Sequence, residues 1–276
     1  MALQSSGTIT LDDIHVEAGG STTTQASLND SDIRGLIGAS SASEMDFADF
    51  YGASASASFV GAVTRAHPYE ASIDSASEAV NLTGAGVQVG DLVVVAMSSD
   101  SGQFTSMAIE GMSMTQAYNP GGSSPTALVY YGTWASGNSN IYLNGSGNTN
   151  TNRMHAMTLV AAIFRNTSSS LLASYSRLSS SGLPNPYYIG GSYNANRSII
   201  ICSGHLDDDE VVFSAPSGFT MAGSAKTTSA TRGSYTGSST GIAYKLTTSY
   251  AAEYIGAFGS NPSGASDANH AFTMRF

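Results

Sequence analysis

From residue 59 onward the chain alternates short apolar runs with turns built from Gly, Ser, Asn and Pro, and few folds accept that alternation. The runs fall at 59–63, 91–97, 107–112, 127–131, 140–143, 158–164, 171–175, 198–202, 220–221, 241–246, 254–258 and 271–276. Each has the length of one β-strand and is too short for a buried helix. Residues 91–97 and 198–202 are almost continuously apolar, as strands are in the middle of a sheet covered on both faces. The last run alternates, Phe272-Thr273-Met274-Arg275-Phe276, so its apolar side is expected to be buried and its end pinned. The expectation is a mostly β protein, a two-sheet jelly-roll-like sandwich over 59–276, with no internal repeat evident in the sequence.

Composition narrows what such a domain can do. Apolar residues make up 41 % of the chain, enough for a sizeable core, whereas charged residues make up only 11 %. An ordinary domain has about 25 %. The surface is therefore made of hydroxyls and amides. A net charge of −10 and scattered Lys and Arg argue against a polyphosphate partner, so no nucleic acid is expected. The single cysteine, Cys202, excludes an internal disulfide framework and reads as a small buried hydrophobe in an apolar strand. Met1–Ser6 lacks the basic and apolar regions of a signal peptide, and no apolar run reaches the ~20 residues of a membrane span. Synthesis in a cytoplasm, without membrane insertion, is the expectation.

The first fifty-odd residues follow another pattern. A Ser or Thr is followed three residues later by Asp at Thr10/Asp13, Ser27/Asp30 and Ser43/Asp46, a loose capping box that marks helix starts. Ile14, Ile33, Leu36, Ile37, Phe47 and Phe50 follow these signals at roughly helical spacing. Helices this short are marginal alone, and so small a piece has little apolar surface for a core. Residues 1–54 are therefore expected to form a helical attachment connector whose six apolar residues dock on a sister chain or another partner. The alternative is that the segment packs on its own β domain. The small-residue stretch 55–58 is the linker.

This segment resembles a known one. Ile9–Ile14, Gly19-Gly20-Ser21, Ser27–Arg34 and Met45–Ser54 are similar to the N-terminal segment of many tailed-bacteriophage virion proteins, mostly tail fibre or minor tail proteins. The resemblance covers about the first fifth of the chain. It implies a non-enzymatic structural protein of the virion tail, fibre or baseplate-associated, made in the host cytoplasm. Other tail proteins would be its partners, and a homotrimer its assembly. A receptor-binding, lectin-like module that recognises a host surface glycan, and a capsid decoration protein, are the alternatives.

Few residues suggest chemistry. The cluster Asp207, Asp208, Asp209 and Glu210 could offer oxygens to a hard cation, but without the EF-hand spacing it reads as a solvated loop. The five histidines are far apart, so zinc has no support and no cofactor is expected. Gly237-Ser-Ser-Thr-Gly241 matches the nucleophile-elbow pattern but leads into a strand, where an elbow needs a strand before it and a helix after. No pair of carboxylates stands out for glycoside hydrolysis. Aromatics in or beside polar turns, Trp134, Tyr187, Tyr188 and Tyr235, are the candidate sugar contacts, against the plainer alternative of packing.

Overall fold

A strand apolar on both sides needs cover on both sides, and two strands of this chain meet that condition at the centres of two sheets. The structure, a computed structural model, describes every residue outside 1–2, 38, 41–42, 54–56, 68–75, 80, 100–103, 110–111, 120–125, 136–139, 146–156, 168, 191–197, 208–210, 228–236, 248–250 and 262–268. It divides into two compact units, Met1–Ala57 and Ser58–Phe276.

The first unit holds α1 (Leu11–Glu17), α2 (Ser31–Gly35) and a 3-10 turn (Phe47–Phe50). Thr10 and Asp13 form a complete capping box at α1. The other two signals act one turn away from their expected places. Asp30 itself is the N-cap of α2, its carboxylate reaching back to the Ser27 amide (2.8 Å). Asp46 caps the 3-10 turn in a box with Asp49, and Ser43 bonds Ser40 instead. The Asp46 carboxylate accepts from the Ala48 and Asp49 amides, whereas the Asp30 side chain makes no capping bond to α2.

The expectation that this segment has no core of its own is corrected. Ile9, Ile14, Ile33 and Phe50 form a buried cluster, with Leu36 and Ile37 half-buried against it. Two features make so small a core possible. Leu3 donates to the Ala53 carbonyl and Gly52 to that of Gln4, so the ends of the unit are tied together. Buried Arg34 gathers the Asn29 side chain and the Ser40 and Ser43 carbonyls, giving the polar loops internal partners. Gly20 is required where it lies, since a Cβ there would stand 2.2 Å from the His15 ring. Phe47, three residues from Phe50, is 42 % exposed.

The second unit contains, in chain order, β1 (Ser58–His67), β2 (Ala76–Ala79), β3 (Leu92–Ser99), β4 (Phe104–Ile109), β5 (Thr115–Tyr118), β6 (Thr126–Thr133), β7 (Asn140–Gly145), β8 (Met157–Arg165) and β9 (Ala173–Ser179). It continues with β10 (Tyr187–Ile189), β11 (Ser198–Asp207), β12 (Val212–Ser214), β13 (Thr220–Lys226), β14 (Ser238–Thr247), β15 (Glu253–Ile255), β16 (Gly259–Asn261) and β17 (Asn269–Arg275). Two five-stranded antiparallel sheets, β1-β8-β3-β6-β5 and β13-β14-β11-β17-β9, pack as a sandwich. The apolar strands β3 and β11 occupy the two centres, as their composition requires. The strand order refines the jelly-roll comparison. All strands of the first sheet come from residues 58–165 and all of the second from 173–275, whereas a jelly roll passes its strands back and forth.

Between the sheets lie Leu92, Val94, Val129, Val160 and Phe164 of the first and Ile199, Ile201, Ile242, Phe272 and Phe276 of the second. The outer face of the first sheet is covered by Leu82, Met112 and Trp134, and that of the second by Phe213, Phe258, Ile189 and Ile255. Phe276 exchanges both backbone hydrogen bonds with Ile199, so the final strand is pinned (3.0 and 3.1 Å). Arg275, on its other face, is buried and donates to the Gly190 and Ala251 carbonyls.

Two outcomes follow. Phe50→Ala should cost about 3–5 kcal/mol, the usual cost of emptying a buried phenylalanine site. It should abolish hydrogen-exchange protection in α1 while the sandwich stays protected, and Phe47→Ala should change stability by under about 0.5 kcal/mol. The second outcome concerns buried His205, which faces His270 across β11 and β17. Burial first, and then His270, push its imidazole down to about 3. The unfolded chain holds histidine near its ordinary ~6.5, so below that pH only the unfolded state takes the proton. Stability is complete above ~6.5 and lost at about 1.4 kcal/mol per pH unit as pH falls toward 3. Urea unfolding at pH 7 and pH 5 should differ by roughly 2 kcal/mol from this group, and His205→Gln should remove that part of the difference.

Candidate functional site

Edge strand β9 and the two-stranded sheet β10-β15 bring four tyrosines to the surface. β9 bonds to β17 on one side only, and Tyr175 and Arg177, two residues apart, share one of its faces. In β10 and β15 Tyr188 stands directly across from Tyr254, while Ile189 and Ile255 are buried against Ile200. That apolar base fixes the pair from below.

Tyr187 reaches the same surface through an unusual backbone. Its φ is +61°, in the region that disfavours non-glycine residues. The Tyr188 amide donates to the Pro186 carbonyl (2.7 Å), closing a γ-turn of the rarer hand, and the Tyr187 amide donates to Asn185 Oδ1 (3.0 Å). Strict alternation would put Tyr187 on the side of buried Ile189, yet it is exposed. Such a conformation costs of order 1–3 kcal/mol and persists where its surroundings enforce it.

The rings form a continuous series. Tyr175 lies 6.1 Å from Tyr188, Tyr188 5.3 Å from Tyr254, and Tyr254 5.8 Å from Tyr187, all edge-on or tilted. The Arg177 guanidinium stands 5.4 Å from the Tyr187 ring and links that end back to β9. Tyr254 is 73 % exposed. Lys245 pairs with Glu253 of β15 at 2.5 Å, so Arg177 carries the charge that the patch presents. Aromatic faces with phenol hydroxyls at their edges can stack on the C–H face of a sugar ring and hydrogen-bond its hydroxyls. Arg177 adds a planar set of donors.

Of the four aromatics singled out in the sequence, the structure brings together Tyr187 and Tyr188. Trp134 is corrected: it is buried among Leu82, Val93 and Met112, and its backbone is bonded to Asp91 and Gly90. Tyr235 lies outside the described residues, as do Asp208, Asp209 and Glu210, and Asp207 ends β11. Tyr175, Arg177 and Tyr254 were not singled out. The alternation of Tyr175 and Arg177 with Ser was their only signal, and the pairing of β10 with β15 has none.

The remaining candidates are structural. Burial pushes the Cys202 thiol up, away from the reactive thiolate. Ser239, centre of the nucleophile-like motif, is buried and accepts from the Val211 amide (2.9 Å). Asp91 is held by Arg165 through two bonds of 2.9 and 3.0 Å. Among the described residues no three His, Cys, Asp or Glu side chains gather where they could hold a metal ion.

Replacing a core ring and a surface ring should separate the two kinds of aromatic. Trp134→Ala should lower stability to urea by about 3–5 kcal/mol, and Tyr254→Ala by under about 1 kcal/mol. Compared with protein-family models, with curated proteins and with solved structures, the chain matches none.

Proposed function

We propose that this protein is a non-enzymatic structural component of a tailed-phage virion, a tail fibre or baseplate-associated protein, whose β domain binds a neutral glycan of the host surface through Tyr175, Tyr187, Tyr188, Tyr254 and Arg177. The observation that carries the binding half is the exposed tyrosine series, held out by a strained turn over an apolar base. Strain kept at a surface where it adds nothing to the core is expected where side chains are positioned for a ligand. A net charge of −10 disfavours an anionic glycan, and with Lys245 paired to Glu253 the Arg177 guanidinium serves as a hydrogen-bond donor to sugar hydroxyls.

The virion half is supported by the resemblance of residues 9–54 and by their folding as a unit separate from the sandwich. Because Ile14, Ile33 and Phe50 are occupied in that unit's own core, docking on tail proteins falls to its exposed apolar residues, Val16, Phe47 and Tyr51. Trimeric assembly in the virion tail belongs to the same reading and rests on the resemblance.

Two measurements test it. On an array of immobilised neutral oligosaccharides the protein should bind, and Tyr187→Ala with Tyr254→Ala should weaken that binding at least about tenfold, each ring being worth ~0.5–1.5 kcal/mol beyond its buried area. An array with no neutral glycan bound removes the binding half. A chain starting at Ser58 should be missing from assembled virions, and normal occupancy would remove the virion half.

A further inference from the structure

We infer that the sandwich is two copies of one folding unit, residues 58–165 and 173–276, packed face to face about an approximate two-fold axis, and that it descends from a pair of identical subunits joined into one chain. The strand orders carry this. In the first sheet the order is first strand of the half, last strand, then β3, β6 and β5. In the second it is again first strand, last strand, then β11, β14 and β13. The small strands follow the same plan. β2, β4 and β7 lie in the intervals occupied in the second half by β10, β12 and the β15–β16 pair, and β2-β7-β4 matches β10-β15 and β16-β12.

Register makes the correspondence residue by residue. Leu92 pairs with Phe164 and Thr133, and Ile199 pairs with Phe276 and Leu246. Counting from those anchors, Tyr131 corresponds to Tyr244, Val129 to Ile242 and Val160 to Phe272. Thr115 pairs with Tyr131, and Thr220 pairs with Tyr244. One residue further the same irregularity interrupts both edges, between Gln116 and Tyr118 and between Met221 and Gly223. A bulge at one equivalent position is a feature that unrelated sheets do not share by default.

Two side-chain contacts between the sheets are then reciprocal, as they are across a two-fold interface, although the sheets approach more closely along β1, β8, β13 and β14 than along the equivalent β9, β17, β5 and β6. Tyr131 meets Phe276 at 5.0 Å and 70°, and its counterpart Tyr244 meets Phe164, the counterpart of Phe276, at 5.5 Å and 69°. Gly223 abuts Val160, where a Cβ would come within 2.9 Å, and their counterparts Tyr118 and Phe272 stack at 5.0 Å. Paired positions have kept their contact while one pair became small and the other large. The central strands β3 and β11 face each other, where the axis passes.

The symmetry predicts a rearrangement. The axis carries the connection from Phe164 to Ala173 onto the path from Phe276 to Gly61. A full chain ordered 1–57, 173–276, a linker equal in length to 166–172, and 58–165 should therefore fold with native strand content and one cooperative melt. If that chain folds only when its linker is doubled in length, the two paths are not equivalent and the inference is overturned. In the native order, double-mutant cycles at Tyr131/Phe276 and at Tyr244/Phe164, each ring replaced by Leu, should both show coupling of about two- to tenfold in the folding constant. Coupling at one pair with none at the other overturns it as well.

Discussion

Everything in the β domain depends on keeping one layer of side chains dry from both sides. Leu92, Val94, Ile199 and Ile201 project between the sheets, while Val93, Val95, Ile200 and Cys202, their neighbours in the same strands, project outward. An apolar outer face cannot be left to water, so each main sheet needs a further cover. Leu82, Met112 and Trp134 supply it on one side, and the short sheets β10-β15 and β12-β16 on the other. The small strands are thus a consequence of the two central ones. The tyrosine patch sits on one of these covers, which is why it has an apolar base although it lies at the surface.

The sequence made the architecture legible where patterning is strong. Every apolar run between 59 and 276 overlaps a strand, although the run 254–258 outlasts β15 and the run 171–175 begins before β9, and the two continuous runs lie at the sheet centres. Strands β2, β5, β10, β12 and β16 were not legible, because three or four residues carry too little periodicity. The doubling of the fold was equally hidden. Equivalent positions hold Tyr118 and Gly223, or Val160 and Phe272, so topology survived while side chains drifted apart. What remains is a trace: Thr115-x-Ala117 and Thr220-x-Ala222, two tyrosines and two phenylalanines.

At the N-terminal unit, spacing found the helix starts but not their consequences. Counting apolar residues gave no hint that Arg34 would leave water to bind three loop groups, or that Leu3 would meet Ala53. Those long-range polar contacts decide that Ile14, Ile33 and Phe50 close on one another. Trp134 illustrates the opposite error. Its turn-like neighbourhood is real, but the turn lies over the outer face of β3, where a large ring is needed as cover.

The place of β8 and β17 in their sheets has a bearing on how the chain can fold as it is made. Each is the last strand of its half, yet it lies between the first strand and the central one. β1 and β3 therefore cannot become neighbours through a hairpin; β1 waits, unpaired, until β8 has been synthesised, while β3 has only β6 to pair with. Pairings that close such long loops are slow and leave edges open to other chains meanwhile. The first sheet can close once Arg165 has emerged, but Leu92, Val94 and Phe164 then present an apolar face until the second sheet arrives. During that interval the nascent half-domain carries the sticky surface of an unpaired subunit. Neighbouring ribosomes on one message would hold matching surfaces close together, so mispairing between chains, in which the first half of one chain captures the first half of another, is the characteristic hazard of this topology.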